Sequence, residues 1–298
     1  MYFELNIQIL NKDTYIFIIN PIAGSKRTDL NSEIKNFAEK NQLDFIIENT
    51  LHKGNGTEIV SRYLLNGYEK FIAVGGDGTV NEIACKLIGT SGALGIIPAG
   101  SGNGLARSLG IPMNLHKALN SLIKSPLRKI DVGSINKKPF FCTAGIGFDA
   151  HCAHEFANGT HARGLWNYVK IFFKNYFTYP IQNGLFEGQK VAFYTITFAN
   201  APQYGNNAYI APKAVFDDKL LDCTIVKPHP KIYGFILGYK LFAKKIQNST
   251  YISCLQADNY KIDFDKPALI HIDGEAETEC SSSYEIQVLP HALNIFYP

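Results

Sequence analysis

The chain has 298 residues, 46% hydrophobic and 18% charged, with a formal net charge of +3. That length suits about two domains with cores of ordinary size. So small a charge gives no reason to expect a nucleic-acid partner, yet it leaves room for a mildly basic face toward anionic lipid. The six cysteines form no C-x-x-C pair and read as reduced thiols of a cytosolic protein. The N-terminus lacks a basic n-region followed by an apolar h-region, and no stretch reaches the roughly 18 apolar residues of a spanning helix. A soluble, cytoplasmic chain is therefore expected, and the sequons at Asn55, Asn158 and Asn248 are chance matches.

The first half alternates strand and helix patterns. "TYIFIIN" is a short β-rich run, followed by "DLNSEIKNFAEKNQ" with helical spacing at Leu30, Ile34 and Phe37. "LDFIIENT" predicts a second strand, "GTEIVSRYLLNGY" a second helix and "KFIAVGG" a third strand. "TVNEIACKLIG" predicts a third helix, with Val80, Ile83, Ala84 and Leu87 on one face, and "ALGIIPAG" a fourth strand. This rhythm argues a parallel sheet with helices on both faces. After "KSPLRKIDVGSI" the rhythm changes to short β-like runs: "KPFFCTAGIGF", "KVAFYTITFAN", "LLDCTIV", "NYKIDF", "ALIHIDGE" and "YEIQVLP". Helical inserts interrupt them near Arg163–Tyr176 and Ile232–Ile246. The second half is thus expected to be mainly antiparallel β. A boundary near Asp131 gives an α/β domain over 1–130 and a β-sandwich domain over 131–298.

The glycines of "VGGDGTVNEI" (Val74–Ile83) follow the third strand and open the third helix. Such a loop lies at the carboxyl edge of a parallel sheet, where helix N-terminal amides attract anions and glycine lets a phosphate approach the backbone. The structural alternative is a tight strand-to-helix turn capped by Asp77 or Thr79. No G-x-x-x-x-G-K-[ST] occurs, no G-x-G-x-x-G follows a strand, and Ser101 does not complete G-x-S-x-G. "NPIAGSKR" (Asn20–Arg27) after the first strand and "PAGSGNGLARSLGIP" (Pro98–Pro112) after the fourth share the loop's character. Three such loops at one sheet edge point to a polyphosphate site.

Those three segments, in this order and spacing, resemble the catalytic domain shared by soluble bacterial diacylglycerol kinases, YegS-like lipid kinases and sphingosine or ceramide kinases. The resemblance continues through "RKIDVG", "TAGIGFDA", "APKAVFDDKLLDCTIV" and "IHIDGEAE" and so covers nearly the whole chain. "GSGNGLA" separates these lipid kinases from NAD kinases, which carry a similar GGDGT loop. The family implies an NAD kinase- and phosphofructokinase-like N-terminal α/β fold that binds ATP, a β-sandwich that binds lipid, and chemistry in the cleft. It also implies Mg²⁺, and transfer of the γ-phosphoryl group to a lipid hydroxyl in phospholipid biosynthesis.

Residue by residue, the resemblance implies nucleotide contacts from Asn20, Pro21, Gly24, Lys26 and Thr50. It adds Gly75, Gly76, Asp77, Gly78, Thr79 and Asn81 of the phosphate loop, and Ser101 and Asn103 of the third loop. Asp77 is expected toward the metal and the reaction centre. Asp273 and Glu275 lie two apart, so on an extended strand they would share a face, while a D-G hairpin turn is the alternative. The resemblance places both in the catalytic set and assigns the general base to Glu275, with Asp77 as runner-up. "VFDDKLLD" resembles the family's structural Mg²⁺ loop, in which Asp218 would join the carbonyls of Val215 and Leu220; Lys219 stands where the family has glycine. Asp149 falls where lipid headgroup contacts are expected.

Bacterial diacylglycerol kinases read N-D-F where this chain has Asn103, Gly104, Leu105, so a sphingoid or ceramide alcohol is an alternative acceptor. Two further alternatives are an NAD kinase-like enzyme and an inactive lipid-binding relative. The aromatic stripes Leu165, Val169, Phe172, Phe173, Tyr176 and Phe235, Tyr239, Phe242, with lysines beside them, either pack on the sandwich or face lipid. The expected location is the cytoplasm, peripheral at the inner membrane face. The oligomeric state is left open, a homodimer among the options. His151, Cys152, His154 and His161 read better as part of the segment after "GFDA" than as a zinc site.

Overall fold

The computed structural model describes residues 12–23, 29–159 and 165–298, with the backbone alone for 165–169. In chain order the elements are β1 (Tyr15–Ile19), α1 (Leu30–Lys40), β2 (Phe45–Asn49), α2 (Asn55–Leu65), β3 (Lys70–Gly75), α3 (Asp77–Leu87), β4 (Ala93–Pro98), α4 (Gly104–Ser108) and α5 (Leu115–Lys124). There follow β5 (Leu127–Ile135), β6 (Lys138–Phe140), β7 (Thr143–Gly147), α6 (Phe148–Asn158), α7 (Leu165–Tyr176), β8 (Gln182–Phe186), β9 (Gln189–Phe193), β10 (Thr195–Ala199) and β11 (Leu221–Val226). The chain ends with α8 (Tyr233–Phe242), β12 (Ile252–Ala257), β13 (Asn259–Ala268), β14 (Ile270–Ile272), β15 (Glu275–Ala276) and β16 (Ser281–Phe296). It divides into two compact units. The first holds residues up to Gly100, Leu109–Lys129 and Leu293–Pro298; the second holds Ser101–Ser108 and Ile130–Ala292.

The first unit is α/β. Its strands run parallel in the order β2-β1-β3-β4, with Ile16–Ile19, Phe71–Val74 and Leu94, Ile96 and Ile97 buried. Continuous apolar runs are what strands covered on both faces require. Helix α1 begins where the Asp29 carboxylate accepts the N–H groups of Asn31 and Ser32, and it buries Ile34 and Ala38. α5, capped by Asn114, buries Ala118, Leu119 and Leu122; its pattern follows a proline-bearing turn and is absent from the sequence reading above. Asn294 and Ile295 of the last strand pair in parallel with Ala93 and Leu94.

The second unit is mainly antiparallel β. One sheet runs β12-β11-β10-β7-β14-β15; the other contains β9, β8, β13 and β16 in that order, with β5 beside β16 and β6 beside β5. Between them Ile146, Phe198, Cys223 and Ile270 meet Tyr260, Ile262, Tyr284 and Ile286 in one core, as a sandwich demands. β8 and β12 also escaped the sequence reading, because both are largely exposed and lack a strong apolar alternation. Of the two aromatic stripes, Ile171, Phe172 and Tyr176 pack around Phe148 and Tyr194, whereas Phe173 and Phe177 are exposed.

Candidate active site

In the first unit β1, β3 and β4 are neighbours and parallel, so the loops that follow them leave one edge of the sheet. Asn20 joins two of these loops: its N–H donates to the Val74 carbonyl at 2.9 Å and its Nδ2 donates to Thr79 Oγ1 at 3.2 Å. Its Oδ1 turns the chain by accepting the Ile22 N–H at 3.0 Å. Pro21 lies exposed in that turn, and Gly24 and Lys26 lie outside the described residues.

The glycines at the end of β3 leave room for close neighbours, a side chain at Gly75 and backbone at Gly76. A Cβ at Gly75 would lie 2.5 Å from Thr79 Oγ1, and one at Gly76 would lie 3.2 Å from the Gly100 Cα. Gly76 is also the N-cap of α3, in extended geometry at φ −94°, and has no side chain with which to cap the helix. The expected alternative of an Asp77 or Thr79 cap is therefore corrected: Asp77, Gly78 and Thr79 form the first turn itself. Helix amides without a capping side chain are suited to an anionic ligand. Asn81, one turn on, accepts the Cys85 thiol at 3.4 Å. Thr50 lies just past β2, where its N–H donates to the Ile19 carbonyl at 2.8 Å.

The third loop continues from Gly100 into residues that belong to the second unit. Ser101 is exposed. Asn103 is buried at φ +53°, and its carbonyl accepts the Arg107 N–H at 2.9 Å. Arg107 Nε in turn donates to the Gly102 carbonyl at 2.9 Å.

Within the second unit the "IHIDGEAE" segment is not one extended strand. β14 and β15 pair through Ile272 and Glu275, and Asp273 (φ +49°) with Gly274 (φ +82°) makes the two-residue turn between them. Positive φ at both central positions is the type I′ requirement that Asp-Gly satisfies. The shared-face expectation is thereby corrected, because Asp273 sits in the turn itself and Glu275 opens the strand after it. Asp273 turns inward and accepts the N–H groups of Phe141 at 2.9 Å, Cys142 at 2.7 Å and Thr143 at 3.0 Å. Burial pushes its carboxyl up from the ordinary range, and the three amides pull it back in part. Glu275 is exposed. Asp149, in the first turn of α6, also faces inward: its Oδ2 lies 3.1 Å from Thr197 Oγ1, 3.2 Å from the Tyr204 hydroxyl and 3.2 Å from His271 Nε2.

Residues 14–135 match the model of the diacylglycerol kinase catalytic domain, and residues 143–297 match that of the YegS C-terminal NAD kinase β-sandwich-like domain. The chain belongs to the YegS-like diacylglycerol kinase family. Among its relatives, a probable lipid kinase YegS-like of Chromohalobacter salexigens is 28% identical over 84% of this chain and 82% of its own. A probable lipid kinase YegS of Salmonella newport is 29% identical over 84% and 85%. A solved diacylglycerol kinase of Bacillus anthracis shares the fold at a TM-score of 0.74, with 22% identity over 96% of this chain and 97% of that one.

Lys219 adopts φ +63°, the left-handed conformation that glycine takes freely. Its N–H donates to Asp131 Oδ2 at 2.6 Å, while the other oxygen of that fully buried carboxylate accepts the His291 N–H at 2.7 Å. Asp218 Oδ1 accepts the Leu220 N–H at 3.0 Å. The donors expected here, the Asp218 carboxylate and two carbonyls, are oxygens of the hard type that Mg²⁺ takes. No group of three His, Cys, Asp or Glu side chains able to hold a metal occurs among the described residues. His151 packs on Tyr179, His154 Nε2 meets the Ile270 carbonyl, and His161 lies outside the described residues.

The sequence reading passed over Asp131, Thr197 and Tyr204. Their partners are 48 to 160 residues away along the chain or sit on irregular loops, so no local pattern marks them.

Proposed function

We propose that this kinase transfers the γ-phosphoryl group of ATP to the hydroxyl of a membrane lipid, diacylglycerol or a related alcohol. The observation that carries the reading is the contact of Gly76 with Gly100 at the glycine-capped start of α3. It clears side chains from helix amides that suit a polyphosphate. Around it Asn20, Gly75, Gly78, Thr79 and Asn81, with Pro21, Gly24, Lys26, Thr50, Ser101 and Asn103, would hold the nucleotide.

In the transfer, the lipid hydroxyl oxygen forms a bond to the γ-phosphorus as the bond to the β,γ-bridging oxygen breaks, and ADP leaves. The hydroxyl proton goes to a carboxylate. Glu275 suits that role better than Asp273, because Asp273 is engaged with three backbone amides and Glu275 is exposed. Asp77 serves the phosphates and their metal. Magnesium, when bound, supplies positive charge at the phosphates and, at Asp218, Val215 and Leu220, ties down the loop.

The lipid would be met at a bilayer surface on the cytoplasmic side. α7 and α8 expose Phe173, Phe235, Ile236, Tyr239 and Phe242, with Phe173 and Phe235 stacked at 6.0 Å. Neither helix contains an acidic residue, and Lys170, Lys174, Lys240, Lys244 and Lys245 lie on or next to them. Exposed apolar side chains with lysines on or beside the same helices suit an anionic bilayer. No helix among the described residues is long and apolar enough to cross a membrane.

The test is phosphate transfer from labelled ATP to diacylglycerol, sphingosine and ceramide in mixed micelles, with NAD as a soluble acceptor and Asp77→Asn and Glu275→Gln as controls. Labelled diacylglycerol that disappears in both variants is expected. Label on NAD alone, or none with ATP still bound, would replace this reading.

A further inference from the structure

We infer that His271 is a positioning residue that sets the turn carrying Glu275, and that Asp149 fixes the proton on its ring; this rests on Glu275 acting as the base. His271 Nδ1 lies 3.3 Å from the Gly274 N–H, one residue before Glu275. A nitrogen that accepts an N–H carries no proton of its own, so the ring proton must be on Nε2. Nε2 faces Asp149 Oδ2 at 3.2 Å, which favours that tautomer. The ring is enclosed, its side chain 3% exposed against 11% for Asp149.

The surrounding residues are shaped for the pair. Gly145, beside it on β7, has no room for a Cβ, which would collide with both Asp149 and His271. Thr197 Oγ1 and the Tyr204 hydroxyl, 2.6 Å apart, close over the same carboxylate oxygen, and the Tyr204 ring stands edge-on to the imidazole. The titratable groups facing His271 are Asp149 from α6, Tyr204 from its loop and Asp273 in the turn.

The turn therefore has two anchors. Asp273 ties it to the start of β7, and His271 ties down Gly274, the last residue before the base. A second proton, on Nδ1, would set donor against donor at Gly274. The turn would shift and carry Glu275 out of position.

The experiment measures kcat and KM for the full chain and for His271→Ala, His271→Gln and His271→Asn, with nitrogen NMR of the imidazole in the wild type. Asparagine keeps an acceptor near the Nδ1 position without a titratable proton, whereas glutamine reaches toward Asp149 instead. We expect His271→Ala and His271→Gln to lose kcat about 100-fold, the scale of a small misplacement of a reacting group, with the nucleotide KM little changed. His271→Asn should recover about tenfold of that loss. The NMR should show Nε2 protonated and Nδ1 bare at neutral pH. No recovery of His271→Asn over His271→Ala, or a protonated Nδ1 in active enzyme, overturns the proposal. A wild type that phosphorylates no lipid at any pH overturns the kinase reading instead, and the NMR then decides the His271 tautomer independently of activity.

Discussion

Gly76 and Gly100 face each other so closely that a Cβ on the first would stand 3.2 Å from the Cα of the second. Backbone, not a flexible side chain, is what it would meet. Gly76→Ala is therefore expected to push the two loops apart by a few tenths of an ångström and to weaken ATP binding about tenfold, or ~1.4 kcal/mol. Gly238→Ala, in open space on α8, is the control and should leave ATP binding unchanged. Isothermal calorimetry with ATP reads both.

Asp273 and Glu275 should separate by phenotype. Asp273→Ala strands three amides, those of Phe141, Cys142 and Thr143, and should cost about 3 kcal/mol or more of stability, seen in urea unfolding. Glu275→Gln, at an exposed position, should leave stability within about 0.5 kcal/mol and abolish transfer. Equal destabilisation by the two would contradict the inward and outward assignment.

Asp222 on β11 carries a pH signature. Burial pushes its carboxyl up to about 6, and the nearby Asp218 charge adds to the rise while Gln256 opposes it. The folded state thus holds this proton more tightly than the unfolded chain does. Its contribution is complete below the ordinary carboxylate range and is lost as the pH rises through about 6. Allowing for partial exposure, the loss is on the order of 1–2 kcal/mol. Asp222→Asn should be the more stable protein at pH 8 and should lose that advantage at pH 4, as measured by thermal unfolding.

Phe173 and Phe235 lie 47% and 49% exposed, so replacing them costs little in the folded protein. The double variant Phe173→Ser, Phe235→Ser should bind phosphatidylglycerol vesicles at least about tenfold more weakly than wild type, with unchanged unfolding. Binding to phosphatidylcholine vesicles should be weak for both proteins, and added salt should release the wild type from the anionic ones. Undiminished co-sedimentation of the variant would remove α7 and α8 from the membrane contact.

Much of the architecture was legible along the chain because it rests on local periodicity. Buried runs such as "IFII" and "FIAV" forced a covered parallel sheet, and the alternating runs after Asp131 forced a sandwich. Parallel strands also required the glycine loops after β1, β3 and β4 to share an edge. Elements with weak patterns, β8, β12 and α5, were not legible, since exposed strands and a helix behind a proline turn carry little signal.

Amino-acid order alone therefore determined most of the strands and helices and which loops carry the glycines, because each of those choices is set by neighbours within a few residues. Tertiary structure decided the rest. It cleared Gly76 against Gly100, turned Asp273 inward while leaving Glu275 outside, joined Asp131 to Lys219 and His291, and built the Asp149–His271–Gly274 chain. Those contacts bridge up to 160 residues, and what fixes them is the need of a buried charge or amide for a partner wherever the fold brings one within reach.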